Sequence, residues 1–157
     1  MLVPAGVLML QVLTALLPAR DDDGSPTLQA PRPSIVVLIP AHDESAGIAA
    51  TLRAIQAQLA PHDRLLVVAD NCSDDTAEVA ANTGAEVVQR VDAARRGKGY
   101  ALDFGIRHLE SEPPEVVVIV DADCELHPDS LDRLTRLCAN ERRPVQALDL
   151  MTGFQNR

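Results

Sequence analysis

From Ser34 onward the chain alternates short apolar runs with longer amphipathic stretches. Ser34 to Ile39 is a continuous β-branched and leucine run that stops at Pro40, the pattern of a strand buried on both faces. Ile48, Leu52, Ile55 and Leu59 then recur at helical spacing behind Ser45, a suitable N-cap. Arg64 to Ala69 repeats the buried-strand pattern. Ser73 or Asp74 can cap a helix carrying Ala77, Val79 and Ala80, which Gly84 should end in a left-handed C′ position. Glu86 to Arg90 predicts a short third strand, Lys98 to Glu110 a helix, Glu115 to Val120 a fourth strand and Asp129 to Ala139 a fourth helix with Cys138 on its apolar face. Pro144 to Leu148 is the start of a candidate fifth strand. Strands alternating with helices in this way predict a doubly wound, mostly parallel α/β sheet.

The region before Ser34 has a different character. Residues 1–19 carry no charged side chain and, as a helix, would reach about 28 Å, close to the thickness of a hydrocarbon core. A membrane anchor or re-entrant segment is the expectation, and it would put the protein at the cytoplasmic face of the cell membrane; without it the protein would be cytoplasmic. Pro4, Gly6, Gln11 and Pro18 weaken the span, and the positive n-region of a secretory signal is missing. Residues 20–33 are charged and rich in proline, which reads as a linker. The globular part is therefore expected over residues 34–157.

Composition narrows the function. The chain has 157 residues and a formal net charge of −9, which excludes nucleic acid as a main partner because a phosphate backbone demands a basic face. Three cysteines, Cys72, Cys124 and Cys138, make no disulfide framework. Cys124 and His127 lie close in sequence, but no second ligand pair supports a zinc site there.

The polar clusters fall where the strands end, which is where ligands bind in such sheets. They are His42-Asp43-Glu44, Asp70-Asn71 and Asp121-Ala122-Asp123. Three acidic clusters on one rim call for a cation. Asp121 and Asp123 at i and i+2 of an extended chain point to the same side, and paired hard oxygens suit Mg²⁺ or Mn²⁺ on phosphate oxygens. A turn pair of aspartates is the ordinary alternative. Asp70 can accept the imide N–H of a uracil ring, or equally serve an Asx-turn. Asp74 and Asp75 are expected to complement a helix N-terminus rather than touch ligand. Arg95-Arg96-Gly97-Lys98-Gly99 is the one dense basic cluster. Its glycines admit close approach and its cations can meet a diphosphate, although a solvated basic loop is the competing reading. It matches neither a P-loop nor a dinucleotide fingerprint, because Asp92 and Leu102 stand at glycine positions of those patterns.

Four segments in this order resemble family 2 glycosyltransferases of GT-A fold. They are Val37 to Glu44 (VLIPAHDE), Val67 to Thr76 (VVADNCSDDT), Arg96 to Asp103 (RGKGYALD) and Val118 to Asp123 (VIVDAD), within about residues 34–150. The resemblance implies a GT-A-like, Rossmann-like sheet and inverting transfer of a sugar from a UDP-sugar with a divalent metal, Mn²⁺ or Mg²⁺. It implies that Pro40, Ala41 and Glu44 line the nucleoside pocket and that Asp70 meets the base. Lys98, with Arg95 or Arg96, faces the donor. Asp121 lies near ribose and metal, and Asp123 ligates the metal. Two departures stand out. Asp43 occupies a position where asparagine is usual, and Ala69-Asp70-Asn71-Cys72 replaces the usual Asp-Asp-Gly-Ser.

Inverting transfer also needs a general base on the acceptor hydroxyl. In the family that carboxylate lies well downstream of the Asp-x-Asp pair, and Asp149 has no recognisable motif around it. The expectation is a domain truncated at its C-terminus that carries the donor and metal site. The acceptor, whether glycan, lipid or another molecule, would be read by residues outside it. A catalytically inactive nucleotide-binding module or truncated remnant is the alternative. A phosphoacceptor receiver-like domain fits poorly, because the third strand ends at Gln89-Arg90 and Lys98 falls too early.

Overall fold

The computed structural model describes residues 31–147. The anchor expected at 1–19, most of the linker at 20–33 and Asp149 lie outside the described residues. Four strands and four helices alternate: β1 (Ile35–Ala41), α1 (Ile48–Gln56), β2 (Arg64–Asp70), α2 (Thr76–Asn82), β3 (Glu86–Arg90), α3 (Lys98–Leu109), β4 (Val116–Ile119) and α4 (Ser130–Glu141). The sheet order is β3-β2-β1-β4 and every pairing is parallel. β1 and β2 occupy the centre, which is why their sequences are apolar without alternation.

Odd and even residues of β1 feed two separate cores, as the two-residue period of a strand requires. Ile35, Val37, Ile39 and Ala41 pack with Ile48, Leu52 and Ile55 of α1, Ala80 of α2 and Leu131 of α4. Val36 and Leu38 face the opposite way and pack with Ala101 and Leu109 of α3. Gly105 lets α3 lie close to the sheet: a Cβ there would come within 2.6 Å of Leu38 Cδ1 and 3.0 Å of Val68 Cγ2.

Several local expectations need correction. β1 runs past Pro40 to Ala41. Pro40 lies beyond the last β4 partner of β1, where a neighbour remains on one side only and a missing N–H is tolerated. Ser45 does not cap α1. Gly47 holds the N-cap position without a side-chain bond, and the N–H groups of Gly47 and Ile48 turn back to the Glu44 carbonyl. α1 ends at Gln56, although Leu59 still packs against the core from the following turn. Gly84, at φ +89°, follows the Thr83 C-cap of α2 as expected. Residues 144–147 form no strand, and Leu148 lies outside the described residues. Cys138 is half-buried rather than core, with its thiol bonded to the Arg143 carbonyl at 3.4 Å. Of the apolar stripe on α4, Leu131 is fully buried, whereas Leu134 and Leu137 are partly covered. Among the described residues no helix is long and apolar enough to cross a membrane.

Candidate functional site

A cleft of about 410 Å³ opens at the carboxyl ends of β1, β2 and β4. β1 and its exit contribute Pro40, Ala41, His42 and Glu44, and β2 contributes Asp70 and Asn71. The approach to α3 brings Arg96, Gly97, Lys98 and Ala101, and the turn after β4 brings Asp121, Ala122 and Asp123. Three of the four resemblance segments thus enter the cleft from strand ends and the fourth from a helix N-terminus. Of the site residues expected from sequence, Arg95 alone stays out of the lining. Its guanidinium turns to Asp92 at 3.7 Å and its carbonyl accepts a bond from Arg90.

The β1 and β2 exits are braced against each other. Asp43 Oδ1 accepts the N–H groups of Ser73 at 2.6 Å and Asp74 at 3.3 Å, and Oδ2 accepts the Ser73 hydroxyl at 3.1 Å. The Ser73 N–H holds the Asp43 carboxyl below its ordinary range. Asp74 Oδ2 accepts the Ser45 N–H, and Oδ1 accepts the N–H and hydroxyl of Thr76. The Thr76 hydroxyl is the largest influence in holding the Asp74 carboxyl well below its usual value. Thr76, fully buried, also accepts the Glu44 N–H at 2.8 Å and so fixes the backbone of that residue. Asp74 therefore serves the start of α2, as expected. Asp75 stands at the N-cap without a side-chain bond.

Asp70 has a partner that the sequence did not announce. Arg90 Nη1 donates to Asp70 Oδ1 at 2.6 Å, and both side chains are about nine-tenths covered. Asn71 Nδ2 also donates to Oδ1, at 3.1 Å. Asp70 Oδ2 accepts no hydrogen bond among the described residues. Asn71, at φ +52°, receives the Asp92 N–H on its own Oδ1 and so ties the β2 exit to the β3 exit. Arg90 continues to Asp92 and lies 5.5 Å from the Tyr100 ring centre. A signal existed. Asp70 and Arg90 are direct partners in the β2–β3 register, so aligning those two strands end to end would have paired them.

Asp121 and Asp123 reach the cleft by a different route from the one expected. They lie in a turn closed by the Cys124 N–H on the Asp121 carbonyl at 3.2 Å, beyond the end of the strand. Ala122 between them is buried, which leaves both acids facing outward. Lys98 Nζ pairs with Asp121 Oδ1. Gly97 enters α3 at φ +113°, a backbone that side-chain-bearing residues rarely adopt. Glu44 and Asp123 make no ion pair among the described residues. The donor set of Asp121 and Asp123 suits a hard divalent cation. No third metal-capable side chain joins them among the described residues, as in sites where phosphate oxygens and water complete the shell.

The sequence profile of glycosyl transferase family 2 matches residues 36–149. The chain belongs to that family. An uncharacterized glycosyltransferase of Mycobacterium tuberculosis is 35% identical over 122 residues, covering 73% of this chain and 51% of the relative. The chain thus spans about half the length of that relative. Among solved structures, a mannosyltransferase of Pyrobaculum calidifontis in complex with GDP-Man and Mn²⁺ superposes with a TM-score of 0.60 at 27% identity. It covers 70% of this chain and 33% of that one. Glucosyl-3-phosphoglycerate synthase of M. tuberculosis in complex with UDP gives 0.52 at 33% identity, covering 62% and 36%. The parallel α/β sheet of this family 2 chain is the GT-A-like sheet expected from its sequence. Family membership classes it with the glycosyltransferases.

Proposed function

We propose that this chain binds the nucleotide-sugar donor and divalent metal of an inverting, UDP-sugar-dependent glycosyltransferase. The observation that carries this reading is one cleft that gathers base-, diphosphate- and metal-capable side chains in its lining. Asp70 reads the base, in a pocket floored by Pro40 and Ala41 and bordered by Glu44. Lys98 and Arg96 face the diphosphate. Asp121 and Asp123 would hold Mn²⁺ or Mg²⁺, with Asp121 also near the ribose. When bound, such a cation supplies Lewis-acid stabilisation of the departing nucleoside diphosphate. The relatives support a divalent metal, since the mannosyltransferase was solved with Mn²⁺ and the synthase with Mn²⁺ and UDP.

Those two structures hold different nucleotides, and the state of Asp70 favours UDP. Arg90 and Asn71 occupy both lone pairs of Oδ1, which leaves Oδ2 as the open acceptor. Uracil offers one imide N–H to a single oxygen. Guanine presents two adjacent N–H donors that match both oxygens of a carboxylate. The acceptor, glycan or lipid, would be read by residues other than those of the cleft. Residues 1–19 would hold the site at the cytoplasmic membrane face.

A calorimetric titration of the whole chain with UDP and with GDP, each with and without Mn²⁺, tests the reading. The expected result is Mn²⁺-dependent UDP binding that Asp123→Ala removes, with GDP weaker by about tenfold, the usual cost of leaving a donor unpaired. A folded chain that ignores UDP in the presence of Mn²⁺ would overturn it.

A further inference from the structure

We infer that His42, Asp43 and Cys72 form a second cation site, one for a zinc-class divalent ion, beside the nucleoside end of the cleft. One ligand atom from each of the three lies within 4.8 Å of the other two. His42 and Asp43 follow β1, Cys72 follows β2, and these strands pair up to Ala41 and Ala69, so the sheet itself brings the two exits together.

Each of the three side chains keeps an atom able to ligate. His42 Nδ1 lies 2.8 Å from the Asp70 carbonyl, which can only accept, so Nδ1 carries the proton. In a neutral imidazole the lone pair then sits on Nε2, the nitrogen 3.8 Å from Asp43 Oδ2. A ring whose far nitrogen is tied to a carbonyl is the arrangement that orients histidine ligands in metal sites. The two backbone N–H groups fall on Asp43 Oδ1, while Oδ2, the oxygen nearer His42 Nε2, accepts the Ser73 hydroxyl. The half-buried Cys72 thiol rests on the Ala41 carbonyl at 3.5 Å. Burial raises its proton affinity, so binding would proceed with release of the thiol proton and formation of a metal–thiolate bond.

Ligand chemistry separates this site from Asp121 and Asp123. One imidazole nitrogen, one thiolate and one carboxylate suit Zn²⁺ or Co²⁺, with water in the fourth position, whereas carboxylates and phosphate oxygens suit Mg²⁺ and Mn²⁺. An ion here would clip the β1 exit to the β2 exit, beside Glu44 and the Asp70 end of β2.

Co²⁺ titration of the whole chain tests the inference, because a thiolate on Co²⁺ gives a near-ultraviolet charge-transfer band. A saturable band is expected at one equivalent, erased by Zn²⁺ and absent in Cys72→Ser. His42→Ala should weaken Co²⁺ by about tenfold or more. The band should survive both Asp123→Ala and Cys124→Ser/Cys138→Ser, which separates this site from the cleft metal and from the other thiols. No band at saturating Co²⁺, or a band that persists in Cys72→Ser, would overturn it. Circular dichroism of each variant confirms that the fold is retained.

Discussion

The two ends of the cleft are built differently. At the proposed nucleoside end, β1 and β2 are almost wholly buried and share six register pairs. Their exits are then cross-tied through Asp43, Asp74 and Thr76, and Asp70 is clamped by Arg90. At the proposed metal end, β4 contributes four residues and four register pairs, and Ile119 is half exposed. Its turn carries the bond from the Cys124 N–H to the Asp121 carbonyl and the exposed Lys98–Asp121 ion pair. The contrast fits the proposed division of labour. A base is recognised by fixed hydrogen-bond geometry, which requires a rigid frame before the ligand arrives. A divalent cation imposes order on its own ligands, so the carboxylates that receive it need less support from the protein.

The largest effect should come from the central pair. Leu38→Ala, at a fully buried position under Gly105, should cost about 2–5 kcal/mol in urea unfolding. Next comes the clamp. Arg90→Ala leaves the Asp70 carboxylate covered and without its cation, which by the behaviour of buried pairs costs about 3 kcal/mol. UDP affinity should fall with it, while Mn²⁺ affinity in the absence of nucleotide stays unchanged. A smaller effect concerns pH. Asp43, Asp74 and Glu86 have carboxyls held below their ordinary values. For Asp74 the leading cause is the Thr76 hydroxyl. For Glu86 desolvation acts upward, and bonds from His108 and Arg64 outweigh it. Their stabilisation is therefore present above those values and is lost as pH falls through the lower folded ones. Melting temperature should hold from neutrality toward pH 5 and drop below about pH 4, and Asp74→Asn should flatten that drop. Smallest of all, Ile119→Ser on the edge strand should change stability by less than about 0.5 kcal/mol. An Ile119→Ser cost equal to that of Leu38→Ala would break the comparison.

What the sequence made legible follows the same divide. β1 and β2 were readable because burial on both faces leaves an uninterrupted apolar run, and Gly84 because a left-handed C′ position selects glycine. The strand-end acids were readable because parallel topology sends such residues to one rim. Contacts that depend on which side chains meet across strands were not legible: Arg90 looked like the polar end of a short strand until the register set it beside Asp70. Ser45 was misread because its backbone N–H, rather than its hydroxyl, is what the fold uses. Cys138 and residues 144–147 carry an apolar pattern with no further strand beside them among the described residues, so periodicity alone overstated their burial.

The Lys98–Asp121 pair has a consequence for the order of events in the cleft. Before any ligand arrives, the ammonium already neutralises the carboxylate that the proposed cation needs. A metal ion alone must displace Lys98, and a nucleotide alone meets a lysine whose charge is already matched. On the proposed reading, with both present Asp121 would exchange one positive partner for another and Lys98 would be released to the diphosphate. The two ligands then share the cost of a single exchange, so each should strengthen the other, and thermodynamic reciprocity makes the two enhancement factors equal. An exposed ion pair of little worth to folding would thus become the source of cooperativity between the proposed cation and donor.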